Sequence, residues 1–171
     1  MEIEKLVLLL VGGVIGFIAS ILKDYFVEKT KRKYKEIELK REKAEEVYIL
    51  LEKWANSFFN RSNYLTLVMK KNISYNEYLD YIVENPTKVD FIRIEMLLKI
   101  YFKDMLPSYE LILKQRGEIN DIIDLHKKEY QNGCFDGDIY IEPLMRETLI
   151  TTKLVEKLKG EVATFVNNMN S

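Results

Sequence analysis

The chain has one cysteine, one histidine, three prolines and seven glycines in 171 residues. A lone Cys134 excludes an internal disulfide framework and a cysteine zinc site, and is consistent with a reducing compartment. A lone His126 leaves no histidine pair for a metal helix, and no E-x-x-H pair of the di-iron kind is present. Walker A and G-x-S-x-G motifs are also absent, and no nucleophile can be assigned to His126 from spacing. Arginine is scarce as well: lysine outnumbers it 20 to 6, so bidentate phosphate recognition is not a theme of the sequence. With so little glycine and proline, and with Leu, Ile, Lys and Glu abundant, the chain reads as regular helix with few turns.

Three of the seven glycines fall in one apolar run, LVLLLVGGVIGFIASIL, from Leu6 to Leu22. Seventeen uncharged residues make about 25 Å of helix at ~1.5 Å per residue. That is slightly short of a hydrocarbon core of roughly 30 Å. Lys5 and Lys23 can snorkel, and Tyr25 and Phe26 extend the run toward an interface. A cleaved export signal fits less well, because Glu2 and Glu4 precede the run and no A-x-A follows it. The stretch KTKRKYK then supplies Lys29, Lys31, Arg32, Lys33 and Lys35 with no acid among them. Such a cluster resists translocation. The expectation is a retained single span in the inner (cytoplasmic) membrane, N-terminus out. The cluster also can bind anionic lipid headgroups.

Gly12, Gly16 and Ser20 recur every four residues, with Gly13 beside them. That spacing presents small residues on one face, as in spans that associate through G-x-x-x-G packing, so a homo-oligomer is expected. Glycine is also common in membrane helices generally, which gives the same residues without a shared face.

Net charge is −1, but residues 23–71 carry 13 basic against 8 acidic residues and residues 72–142 carry 8 against 14. The basic part adjoins the apolar run and the acidic part is distal, which argues against a nucleic-acid partner. No Gly or Pro interrupts Asp24 to Lys71. The first part, with Glu28–Arg32 and Glu36–Lys40 pairs at i, i+4, reads as a solvated stalk. From Ala44 the apolar positions Ala44, Tyr48, Leu51, Ala55 and Phe58 take four-and-three spacing, with Val47, Trp54 and Phe59 flanking, the mark of a helix entering a core.

Lys70-Lys71-Asn72 marks a turn, and Ser74 with Glu77 forms a capping box opening a short helix through YNEYLDYIVEN. Asn85-Pro86 ends it and begins the next, through VDFIRIEMLLKIYFKDML, apolar on two sides and so central to a bundle. Pro107 breaks it. A helix from Ser108 to Gln131 places Ile119, Ile122, Ile123, His126 and Tyr130 on one face, and Asn132-Gly133 closes it. An extended piece is expected at Ile139–Ile141, with Pro143 opening the last helix. There Leu144, Thr148, Thr151, Val155, Leu158, Val162, Phe165 and Met169 step by four and three, a heptad seam of the bundle kind.

His126 on an apolar face is the one candidate ligand or switch residue; a packed structural histidine fits the same pattern. Asp136, Asp138 and Glu142 lack the order of a calcium loop, and Asp136-Gly137 more simply makes a turn. No metal or cofactor is expected.

The order of span, basic stop and EIELKREKAEEVYILLEKW resembles small bacterial single-span membrane-anchored helical proteins, some of which lie near phage-defence genes. The resemblance covers roughly residues 5–55 and supplies no functional residues. It implies a bacterial or phage inner-membrane protein.

The expected organisation is all-α: a transmembrane anchor at 1–27, a charged stalk at 28–43 and a cytoplasmic four- to five-helix bundle at 44–171. The expected function is a non-enzymatic interaction or oligomerisation module, in the setting of an accessory or effector of a defence system, with membrane lipids and an unidentified protein as partners. The alternative is a sensor whose bundle binds a small molecule and alters the packing or permeability of the spans. A ligand-sized cavity near His126 would favour the sensor, and a filled core with an exposed apolar patch would favour the protein partner.

Overall fold

The computed structural model describes residues 2–86 and 90–169, with side chains at 17 and from 20 onward. Among these residues there are five α-helices, one 3-10 turn and no strand. They are α1 (Glu2–Met69), α2 (Tyr75–Glu84), α3 (Phe91–Tyr101), α4 (Leu106–Gln131) and α5 (Asp138–Asn168), with the 3-10 turn at Lys103–Met105. The chain divides into two compact units, Met1–Arg41 and Glu42–Ser171.

The first unit is helical from Glu2. Its side-chain support is local: Arg32 bonds Glu28, and Lys40 Nζ lies 2.7 Å from Glu36 Oε1, the two pairs the spacing predicts. Exposed i, i+4 pairs of this kind contribute little to stability. Among the described residues no helix is long and apolar enough to cross a membrane. Most of the expected span, Leu6 to Leu22, lies outside the residues whose side chains are described.

The second unit is a bundle. Contacts from α1 to α5 run backward along one helix as they run forward along the other: Glu52 to Lys159, Thr66 to Met145, and Gly137 just ahead of α5 to Met69. The two helices are therefore antiparallel. The same holds for α4 and α5, through Ser108–Glu161 and Gln115–Glu147. The predicted α5 seam is buried from Leu144 through Val162. On α1 the buried face keeps Ala44 and Leu51 and shifts part-way toward the flanking positions. Val47 and Trp54 enter the core, whereas Tyr48 stays 40% exposed. The reason is chemical: Lys159 is buried on α5, bonded to Glu52 and Glu156, and its ammonium sits 4.8 Å from the Tyr48 ring centroid. Burial works to lower the Lys159 pKa, but hydrogen bonds from its ammonium to Glu156 and Glu52 outweigh it and hold the value above that of an ordinary lysine.

Helix ends follow local chemistry. α1 closes with Asn72 N–H donating to Leu67 O and Lys71 N–H to Val68 O, with Lys71 at φ 60°, a position usually given to glycine. α2 opens with the predicted capping box, Ser74 Oγ accepting from Glu77 N–H and Glu77 accepting from Ser74 N–H. α4 ends in the same way as α1: Gly133 at φ 86°, its N–H bonded to Tyr130 O, and Cys134 N–H bonded to Glu129 O.

Three expectations fail here. The third helix ends at Phe102, before Pro107, which instead sits in the first turn of α4, where a missing N–H is harmless. α3 is buried on one side only, through Ile94, Leu97 and Leu98, with Ile92 81% and Ile100 59% exposed. Ile139–Ile141 is helical, because α5 begins at Asp138 with Pro143 inside its second turn.

The core has two clusters. The first joins Ala44, Val47, Leu51 and Trp54 to α3, the 3-10 turn, the start of α4 and the end of α5. The second joins Leu65, Val68 and Met69 to Tyr78, Ile119 and Leu144. Buried Ser62 on α1 and Thr148 and Thr151 on α5 fall between the two clusters along their helices, and buried Thr66 lies within the second cluster's stretch. Thr148 Oγ1 is buried without a hydrogen-bond partner, a condition that costs on the order of 1–3 kcal/mol. Thr148→Val is expected to raise stability by about 1 kcal/mol, read as a higher urea midpoint; a lower midpoint would mean that the hydroxyl is satisfied.

Candidate functional site: an arginine-lined pocket beside a buried histidine

His126 is fully buried at the end of the bundle where α1 stops, α2 starts and the α4–α5 loop passes. Its ring centroid is 5.7 Å from Tyr140, 6.1 Å from Tyr130 and 6.4 Å from Tyr75. The Tyr130 hydroxyl accepts from Tyr75 N–H, at 3.3 Å. The loop fits because residue 137 is glycine: a Cβ there would stand 2.8 Å from both His126 Nε2 and the Met69 Cα. Gly137 N–H instead donates to Met69 O at 3.3 Å.

Neither imidazole nitrogen has a hydrogen-bond partner. Burial pushes the His126 pKa below the ordinary value of 6.5, with Glu129 opposing weakly. The ring is thus a neutral packing element with no route to a solute, and general acid–base work would need such a route. Because the folded form resists the proton more than the unfolded chain does, stability is full above pH 6.5 and declines as pH falls toward the depressed value. His126→Met should flatten that decline in urea midpoints taken between about pH 8 and pH 5. An equally steep decline in the variant would assign the pH dependence to other groups.

One turn before His126, Ile123 lines a cavity of about 250 Å³. Its apolar wall is Trp54 and Phe58 from α1, Ile82 from α2, Phe91 from α3, and Ile123. Its polar lining is Arg61, Ser62, Tyr78, Arg116 and Asn120. The opening follows from the fold. α1, α4 and α5 are long, but the remaining wall is two short helices, α2 over the second core cluster and α3 over the first. The cavity sits where one gives way to the other.

Its electrostatics are one-sided, because among the described residues the only charged ones in its lining are the two arginines. Arg32, Arg93 and Arg146 each pair with a glutamate, the Arg93–Glu46 pair being bidentate at 2.6 and 2.9 Å. Among the described residues Arg61 and Arg116 have no carboxylate partner. Arg61 Nη2 donates to Asn85 O at 3.4 Å, while its Nε is buried and unpaired. The Arg116 guanidinium lies 4.6 Å from the Phe91 ring centroid. Trp54 meets Phe91 edge-on at 5.9 Å and Phe58 at 5.4 Å. Burial pushes the Tyr78 phenol up to about 12, so it stays a neutral hydroxyl.

Of the residues expected from sequence, the structure places only His126 near this cavity, and not in its lining. Lys29, Lys31, Arg32, Lys33 and Lys35 are all exposed, as is Ser20. Gly12, Gly13 and Gly16 lie outside the residues whose side chains are described. Arg61 and Arg116 were not anticipated. The signal available was Ser62, a small polar residue standing on the α1 seam between Phe58 and Leu65, next to an arginine. No family model, curated protein or solved structure matches the chain.

Proposed function

We propose that the chain is a membrane-anchored, non-enzymatic interaction and oligomerisation module of a bacterial or phage inner membrane. Its N-terminus lies outside, its helical bundle lies in the cytoplasm, and its setting is that of an accessory or effector of a defence system. The observation that supports the anchor is the exposure of Phe17, Ile21, Leu22, Tyr25 and Phe26, each more than half exposed on one half of the α1 circumference. An exposed apolar band of this kind marks a surface that something covers. Immediately after it, the five basic residues at 29–35 are all exposed and continue largely the same half of the helix, which suits an apolar surface edged by anionic headgroups. Gly12, Gly16 and Ser20, with Gly13, form the proposed contact between spans.

A second reading, a ligand sensor whose bundle binds a small molecule and alters the spans, is favoured by the arginine-lined cavity one turn from His126. α1 carries the apolar run and also contributes Trp54, Phe58, Arg61 and Ser62 to that cavity.

The single cysteine makes the topology testable, because Cys134 is exposed. In spheroplasts, a membrane-impermeant maleimide should label the chain only after permeabilisation, and alkaline carbonate should leave the chain in the membrane fraction. Labelling of intact spheroplasts would reverse the orientation, and release into the carbonate supernatant would remove the anchor.

A further inference from the structure

We propose that the cavity between α1, α2, α3 and α4 is a binding site for a small planar aromatic anion, a carboxylate or a phosphate ester. The proposal rests on the ligand-sensor reading and names its ligand class. Three independent features carry it. The first is charge: Arg61 and Arg116 converge on one cavity that, among the described residues, no acid lines. A buried, unsatisfied charged donor such as Arg61 Nε is costly to leave without a partner, and other arginines of this chain are paired with glutamate. The second is shape: guanidinium groups present donors in a planar fork that matches carboxylate or phosphate oxygens. Ser62 and Asn120 add neutral polar groups beside them. The third is the aromatic lining beside the arginines, where Trp54, Phe58 and Phe91 supply apolar ring surface and Phe91 already carries the Arg116 guanidinium.

Size narrows the class further. About 250 Å³ falls just below the roughly 300–1,000 Å³ of typical small-molecule sites, which suits one or two fused rings bearing an acid group and not an oligonucleotide. Nor does the cavity suit a cation, since both of its charged groups are positive.

Trp54 is the only tryptophan of the chain and lines the cavity, so its fluorescence reports occupancy without a label. The full-length protein in detergent is titrated with 4-nitrobenzoate, 4-nitrophenyl phosphate and neutral 4-nitrobenzamide, whose nitroaromatic rings quench indole on contact. N-acetyltryptophanamide serves as the inner-filter control. Saturable quenching is expected from at least one anion, with the amide weaker by about tenfold or more; which anion binds tighter distinguishes a carboxylate from a phosphate ester. Arg61→Gln and Arg116→Gln should each weaken the preferred anion by about tenfold or more and leave the amide unchanged. The wild-type comparison of acid with amide stands even if one variant fails to fold. If the amide saturates as tightly as the acids, or if neither variant changes anion affinity, the site takes a ligand but not an anion, and the proposal falls while the sensor reading survives. If none of the three saturates, both fall.

Discussion

The bundle depends on the antiparallel packing of α5 against α1. Leu144, Val155, Leu158 and Val162 on one helix and Ala44, Val47, Leu51, Leu65 and Met69 on the other are buried almost completely. Fully burying each larger aliphatic contributes about 1.5–3 kcal/mol, whereas the exposed ion pairs contribute little. Lys159 fixes the register of this pair. Its ammonium is buried between Glu52 of α1 and Glu156 of α5 and rests on Tyr48. A slip of either helix would take Glu52 and the Tyr48 ring away from that buried ammonium and leave it only Glu156 of its own helix, so the register in which both carboxylates reach it is favoured.

The seam is not uniform, and the cavity follows from that. Midway along, α1 presents Ser62 and α5 presents Thr148 and Thr151, buried polar residues between two apolar clusters that Phe58 bridges. Near this level the wall opposite α5 changes from α3 to α2. A small residue on the seam, with a break in the covering helices, leaves space. The arginines enter that space from α1 and α4. Long helices thus give the bundle its rigidity, and the two short ones leave it open on one side.

Much of this was legible in the sequence because it depends on local chemistry or on an uninterrupted period. The Ser74–Glu77 box, the Asn132-Gly133 stop, the Glu28–Arg32 and Glu36–Lys40 pairs and the whole α5 seam are of that kind. Errors arose where tertiary contacts decided between near-equal local choices. Ile139-Tyr140-Ile141 is a short β-prone run, yet helix there brings Leu144 into the core, and Ile139 itself stays 72% exposed. Val47 displaced Tyr48 from the core because a tyrosine at the margin can carry the Lys159 ammonium on its ring. The site was the least legible part. Six arginines look alike in a list, and only the fold shows that Arg93 meets Glu46 while Arg61 and Arg116 share a cavity without an acid. A scarcity of arginine argues against phosphate recognition as a general theme and is silent on two residues that converge.

A single helix, α1, therefore runs through three kinds of sequence: an apolar run, a charged stretch held by i, i+4 pairs, and a seam held by a core. The proposed anchor, the exposed basic cluster and the cavity each belong to one of these stretches. Hydrogen exchange of the full chain in lipid nanodiscs tests the central claim, that the α1–α5 seam is the cooperative unit and the charged stretch is only locally stable. Amides of residues 47–69 and 144–162 should exchange slowest and at a common rate, with residues 28–41 exchanging much faster although helical. Equal protection across 28–69, or separate rates for the two seam helices, would contradict it.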